Sequence, residues 1–178
     1  MTQPATDRLL PWGDPDSGRR IIVGIGEMAI ADRPDDVIVT YALGSCVAVC
    51  LFDPAVRIAA LLHFLLPESN INYRRAIDQP AAFGDTGIPM LLQSAIRRGL
   101  KKNRASVRLI GGAMISAGHN GNGLATGHRN VLAARSILWR LGLFIEAQEV
   151  GGVDARTVHF SAKDGRLLVL SGQQTKEM

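Results

Sequence analysis

A thiol and an imidazole that face each other make a nucleophile and a base, and Cys46 and His63 are spaced to do so. Cys46 lies in the run Leu43-Gly44-Ser45-Cys46-Val47-Ala48-Val49. Val47 to Phe52 is apolar and rich in β-branched residues, Asp53-Pro54 signals a turn, and Arg57 to Phe64 is apolar again. Pro54 suits the second position of a tight turn, where its fixed φ is already correct. A loop of two or four residues pairs Phe52 with Arg57, and counting back along both strands pairs Cys46 with His63. Directly opposed residues carry Cβ atoms about 4.5–5.5 Å apart on one face, within reach of a hydrogen bond. By the same count Cys50 lies opposite Ala59 and has no base, so Cys46 is the better nucleophile. An odd-length loop or a bulge would slide or flip this register. The competing reading is a small core cysteine and a satisfied histidine. Gly44-Ser45 favours the chemical one: glycine permits an unusual turn that leaves the Cys46 amide free to donate to an oxyanion.

The elements that must hold this pair follow from periodicity. Arg20 to Gly24 reads as a first strand and Val37 to Thr40 as another, with Tyr41 to Ser45 as the loop into the hairpin. Gly24-Ile25-Gly26-Glu27-Met28-Ala29 matches a loose dinucleotide fingerprint, but Ala31 to Asp36 stands where the helix should run, so no nucleotide site is expected. Pro67 to Ala82 is polar and irregular. A helix then starts at Asp85 or Thr86, tolerates Pro89 in its first turn, and carries the stripe Ile88, Leu91, Leu92, Ala95 and Ile96 towards Gly99. Val107 to Ile110 is a strand leading into Gly111-Gly112-Ala113-Met114.

Ser116 to Asn130 reads as a Gly-rich loop at the edge of a site. It holds His119 and His128, but no Cys or acidic ligand lies near them, and no Lys-Ser/Thr follows the glycines. Neither a metal nor a phosphate-cradling loop is expected there. Asn130 caps a helix through Leu141, with Gly142 as its stop. Leu143 to Val150 is a strand, and Thr157 to Ala162 with Arg166 to Leu170 closes a hairpin around Asp164-Gly165. About seven strands and two helices, joined by hairpins rather than βαβ units, argue for an α+β fold.

At 178 residues the chain suits one domain with a real core. The expected division is a loose tail over 1–19, a single domain over 20–172 and a polar tail over 173–178. Two cysteines make no disulfide scaffold, and no secretory signal is visible, so reduced thiols in the cytoplasm are expected. The longest uncharged run, Val37 to Phe52, is too short to span a membrane. The net charge of +4 gathers around Arg97-Arg98 and Lys101-Lys102-Asn103-Arg104. No aromatic residues interleave with these, which argues against nucleic acid and for a solvated helix end or an acidic protein partner.

At Thr40-Tyr41-Ala42-Leu43-Gly44-Ser45-Cys46-Val47-Ala48-Val49 and His63-Phe64-Leu65-Leu66-Pro67 the chain resembles CheD, the chemoreceptor glutamine deamidase family of bacterial chemotaxis. The resemblance takes in Gly24-Ile25-Gly26-Glu27, Gly111-Gly112-Ala113, Gly127-His128-Arg129-Asn130 and Gly151-Gly152. It departs at 116–126, at Phe83-Gly84-Asp85 and at Gly152 to Arg156. It implies stacked, mostly antiparallel or mixed sheets flanked by helices, like the deamidase domain of cytotoxic necrotizing factor. It further implies a catalytic Cys46, His63 and Thr40, with Gly44, Ser45 and Val47 shaping the oxyanion site. The implied substrate is a glutamine of a methyl-accepting chemoreceptor, hydrolysed through a thioester without a cofactor. The resemblance also allows an adaptor role, through a CheC-type phosphatase or the receptor itself.

Overall fold

The computed structural model describes residues 19–114 and 122–178. Its centre is the expected hairpin, β4 (Val47–Asp53) and β5 (Ile58–Phe64), buried along its whole length. Both strands are covered on both faces, which is why they read as continuous apolar runs rather than alternating ones. They sit in a five-stranded sheet of order β2-β5-β4-β6-β7, with β2 (Glu27–Ala31), β6 (Ser106–Gly111) and β7 (Ile145–Val150). A second five-stranded sheet has the order β1-β3-β8-β9-β10. Its strands are β1 (Arg20–Ile22), β3 (Val37–Leu43), β8 (Arg156–Ser161), β9 (Leu167–Ser171) and β10 (Gln174–Glu177). Each sheet is mixed: β6 with β7 and β1 with β3 run parallel, and the remaining pairs are antiparallel.

Alternation along β4 and β5 sorts their side chains into two cores. Val47, Val49, Leu51, Ala60, Leu62 and Phe64 pack against α2 (Gly84–Arg97) and α3 (Asn122–Arg140), on Ile88, Leu91, Ala95, Ala134 and Leu138. Ala48, Cys50, Phe52, Ala59 and Leu61 meet Ile38, Val158, Phe160, Leu167 and Val169 of the second sheet. The result is an α+β molecule in three layers: helices, sheet, sheet. No helix among the described residues is long and apolar enough to cross a membrane.

Several elements differ from the sequence reading. Pro67 to Ala82 is ordered into α1 (Tyr73–Asp78), flanked by 3₁₀ turns at Ser69–Asn72 and Pro80–Ala82. Asp85 does not cap α2: it lies in the first turn, where its carboxylate accepts from the Ser69 amide (2.9 and 3.0 Å) and hydroxyl (2.7 Å). The polar residues after Gly172 extend the second sheet as β10, and Met178 exchanges backbone bonds of 2.8 and 3.0 Å with Leu167. All four β10 side chains are exposed, so no apolar alternation marked the strand. Of the tail expected over 1–19, residues 1–18 lie outside the described residues, and Arg19 is bonded to Asp36 at 2.8 and 3.0 Å.

The largest difference is α3, which begins at Asn122 rather than Asn130. Glycines lower helix propensity and hid its first turns. Gly127 is required by packing: a Cβ there would lie 2.7 Å from the carbonyl oxygens of both Gly112 and Ala113. Asn130 is therefore no cap, but a fully buried residue in the middle of the helix.

Candidate functional site

The hairpin closes with Asp53 opposite Ile58, leaving a four-residue turn, Pro54 to Arg57. The Asp53 carboxylate accepts from the Ala55 amide at 3.0 Å, and Arg57 takes a left-handed φ of 52°. This register stands two residues from the one counted on sequence. His63 lies opposite Ala48, and Cys50 lies opposite Leu61 rather than Ala59. A slip of two preserves the face. Cys46 and His63 therefore remain on the side of β4 and β5 that looks towards the second sheet, as diagonal rather than directly opposed neighbours. Cys46 sits just before β4, at the mouth of the inter-sheet core.

Thr40 reaches His63 across the sandwich. Its hydroxyl lies 2.7 Å from the carbonyl oxygen of Val23 and 2.8 Å from Nδ1 of His63, and both residues are fully buried. A carbonyl can only accept, so the one hydroxyl proton of Thr40 belongs to the Val23 bond. Oγ1 then accepts from Nδ1–H, which fixes the imidazole with its lone pair on Nε2. That Nε2 is buried and has no hydrogen-bond partner among the described residues. An extra residue on β3 follows Thr40 directly: the pairing shifts between Thr40↔Val158 and Leu43↔Arg156, with Ala42 at a left-handed φ of 54°. Such a bulge re-aims the chain, here from the sheet into the nucleophile loop.

That loop is held by its carbonyls. Gly44 O accepts from the Ala113 amide (2.8 Å), Ser45 O from Asn130 Nδ2 (2.9 Å) and Cys46 O from the Gly112 amide (2.7 Å). Gly111, at φ 110°, passes so close that a Cβ would collide with Cys46 O. Val47 is taken into the ladder between Phe64 and Gly111. Proximity of its own backbone N–H favours the Cys46 thiolate. Burial dominates nonetheless and pushes the Cys46 thiol up to about 11; Cys50, still more deeply buried, is pushed higher. Burial pushes His63 down to about 4, against the opposing pull of Glu27, which pairs with it from β2. At neutral pH the pair is thus thiol and neutral imidazole.

Sequence reasoning missed Asn130 as part of this site, although the apolar stripe Val131, Ala134, Ile137 and Leu138 passes through it at helical spacing. His119 lies outside the described residues, and His128 is exposed on α3. Among the described residues no cluster of three or more His, Cys, Asp or Glu could hold a metal.

The His63 environment has a measurable consequence. An unfolded imidazole titrates near 6.5, and the folded one near 4, so the unfolded chain binds more protons in that window and stability falls as the pH is lowered. The contribution is intact above pH 6.5 and costs about 2–3 kcal/mol by about pH 4.5. Urea unfolding at the two ends of that window should show this loss in the wild type and a smaller one in His63→Gln. An unchanged difference in the variant would place the acid sensitivity elsewhere.

Fold and site together define an α+β protein of two stacked mixed sheets, with a buried Thr–His pair and a thiol at one end of the layer between them. Residues 65–171 match the family described as CheD chemotactic sensory transduction. The chain is 36% identical over 159 residues to the probable chemoreceptor glutamine deamidase CheD of Solibacter usitatus, covering 89% of this chain and 93% of that one. It is 40% identical over 154 residues to the probable chemoreceptor glutamine deamidase CheD 2 of Anaeromyxobacter dehalogenans (86% and 96%). A third such protein, from Pyrococcus abyssi, is 36% identical over 158 residues (87% and 95%). The chain belongs to the CheD family.

Proposed function

We propose that this protein is a cytoplasmic protein-glutamine deamidase, converting glutamines of methyl-accepting chemoreceptors to glutamate through a thioester on Cys46. The observation that carries this reading is the fixed tautomer of His63. Thr40 holds Nδ1–H, and Nε2, which has no hydrogen-bond partner among the described residues, belongs to a ring on the hairpin face shared with Cys46. The names of the CheD relatives supply the substrate class.

In this mechanism the thiol and imidazole are neutral at rest, because burial penalises both charges. Nε2 takes the thiol proton as sulfur attacks the carboxamide carbon, so charge appears only in the transition state. The Cys46 amide donates to the oxyanion, within a loop shaped by Gly44, Ser45 and Val47. The imidazolium returns its proton to the amide nitrogen, ammonia leaves, and a thioester remains. His63 then draws a proton from water, which attacks the thioester and releases glutamate and the thiol. Thr40 orients the ring as a carboxylate does in other triads, without a carboxylate's charge. No cofactor enters the scheme. The same reading places the fold with the deamidase domain of cytotoxic necrotizing factor.

The test is peptide mass spectrometry of chemoreceptor cytoplasmic domains incubated with the protein. Amide-to-acid shifts at defined glutamines are expected; receptor domains recovered unchanged by active-site-intact protein would refute the reading.

One observation favours a binding role as well. Trp139 and Phe144 are 69% and 68% exposed and stack edge to face at 5.5 Å, an aromatic pair suited to a protein partner such as a CheC-type phosphatase. A pure adaptor needs no imidazole-assisted thiol, so a Cys46 alkylation rate at neutral pH that falls in His63→Gln supports the enzyme, and one that His63→Gln leaves unchanged supports the adaptor.

A further inference from the structure

Asn130 spends both of its amide protons on two different segments of chain. Nδ2 donates to Ser45 O and to Leu65 O, each at 2.9 Å. Ser45 precedes the thiol residue, and Leu65 lies two residues beyond His63. The side chain is fully buried, and its Oδ1 has no partner among the described residues. Its orientation is settled, because exchanging O and N would set an oxygen against two carbonyl oxygens. A mid-helix asparagine costs helix propensity, and a buried unpaired acceptor costs desolvation. Packing alone would be served better by leucine.

The Ser45 bond bears on chemistry through peptide geometry. In a planar trans peptide the C=O and N–H point in opposite directions, so holding Ser45 O towards α3 directs the Cys46 N–H away from it. With Gly44 O and Cys46 O held by Ala113 and Gly112, three successive carbonyls are drawn to the β6–α3 side. The Cys46 amide is left on the opposite side of that peptide, where it can donate to the carbonyl oxygen of a substrate attacked by the Cys46 sulfur. We propose that Asn130 is a positioning residue: it fixes the Ser45–Cys46 peptide so that the Cys46 amide serves as oxyanion donor, and it ties this loop to the strand bearing His63. The proposal rests on the thioester reading above.

Two small reagents isolate the role without a receptor. p-Nitrophenyl acetate acylates a thiol through a tetrahedral oxyanion. Sulfur bonds to the carbonyl carbon, p-nitrophenolate leaves with its electron pair, and the thiol proton passes to His63. Iodoacetamide alkylates the same sulfur by direct displacement, with no oxyanion. In Asn130→Leu, near in volume but without donors, acylation of Cys46 should fall about tenfold to a hundredfold while alkylation stays within about threefold. Asn130→Ser keeps one donor on a shorter arm, should fall between, and carries the test if the leucine variant does not fold. Equal loss of both rates, or of neither, would overturn the proposal, the first outcome marking Asn130 as merely structural. Receptor domains assayed in parallel keep the readings apart. A wild type that acylates but leaves receptor glutamines intact refutes the receptor reading, and the ratio of rates still decides Asn130. A wild type whose Cys46 does not acylate overturns both.

Discussion

Cys46→Ala should lose at least about 10⁴-fold in glutamine conversion, because no other group can form the acyl intermediate. The fold should survive. Cys46 lies at the mouth of the inter-sheet core, 5% exposed, so its truncation removes one sulfur from an edge, for about 1 kcal/mol. Cys50→Ala is the informative control. That residue sits within the same core, and its truncation should cost as much stability or more while leaving turnover per folded molecule unchanged. Mass spectrometry of receptor peptides with each variant, alongside thermal unfolding, checks both halves. A Cys46→Ala protein that still converts glutamine at near wild-type rate would refute the thioester mechanism outright.

The hairpin that carries this chemistry was legible because two buried strands and a proline turn leave a strong apolar signature. Its register was not. That depends on Arg57 entering the left-handed region and on the Asp53 carboxylate capping the turn, which no periodicity encodes. The face survived only because the slip was two residues rather than one. Thr40 could not be placed from spacing, since its bond to Val23 joins the chain at the end of β1 to β3 in the same sheet over 17 residues and its bond to His63 crosses to the other sheet over 23. It entered through family resemblance, as did the Gly127-to-Asn130 motif. Asn130 reads as a cap on sequence because Gly123 and Gly127 weaken the helix signal, and Gly127 is where α3 passes against the Gly112 and Ala113 carbonyls. β10 went unread because a wholly exposed edge strand has no apolar face to betray it.

Thr40→Val tests the part of the site that burial makes most consequential. Valine keeps the shape but removes the hydroxyl, so Val23 O loses its donor and Nδ1 loses the acceptor that selects the tautomer. The lost bonds cost about 1–3 kcal/mol of stability. Activity should fall further, by about 10²–10³-fold, because an imidazole with its proton on Nε2 cannot take one from Cys46. Thermal destabilisation alone would leave folded molecules fully active, so turnover is compared at a temperature where both proteins are folded. Thr40→Ser restores the hydroxyl and should recover most of the rate. Nitrogen chemical shifts of His63 should report Nδ1–H in the wild type and in Thr40→Ser, and a mixture or the opposite tautomer in Thr40→Val. If Thr40→Val keeps both the wild-type tautomer and the wild-type rate, the ring is oriented by its surroundings, and Thr40 is a core residue that happens to touch it.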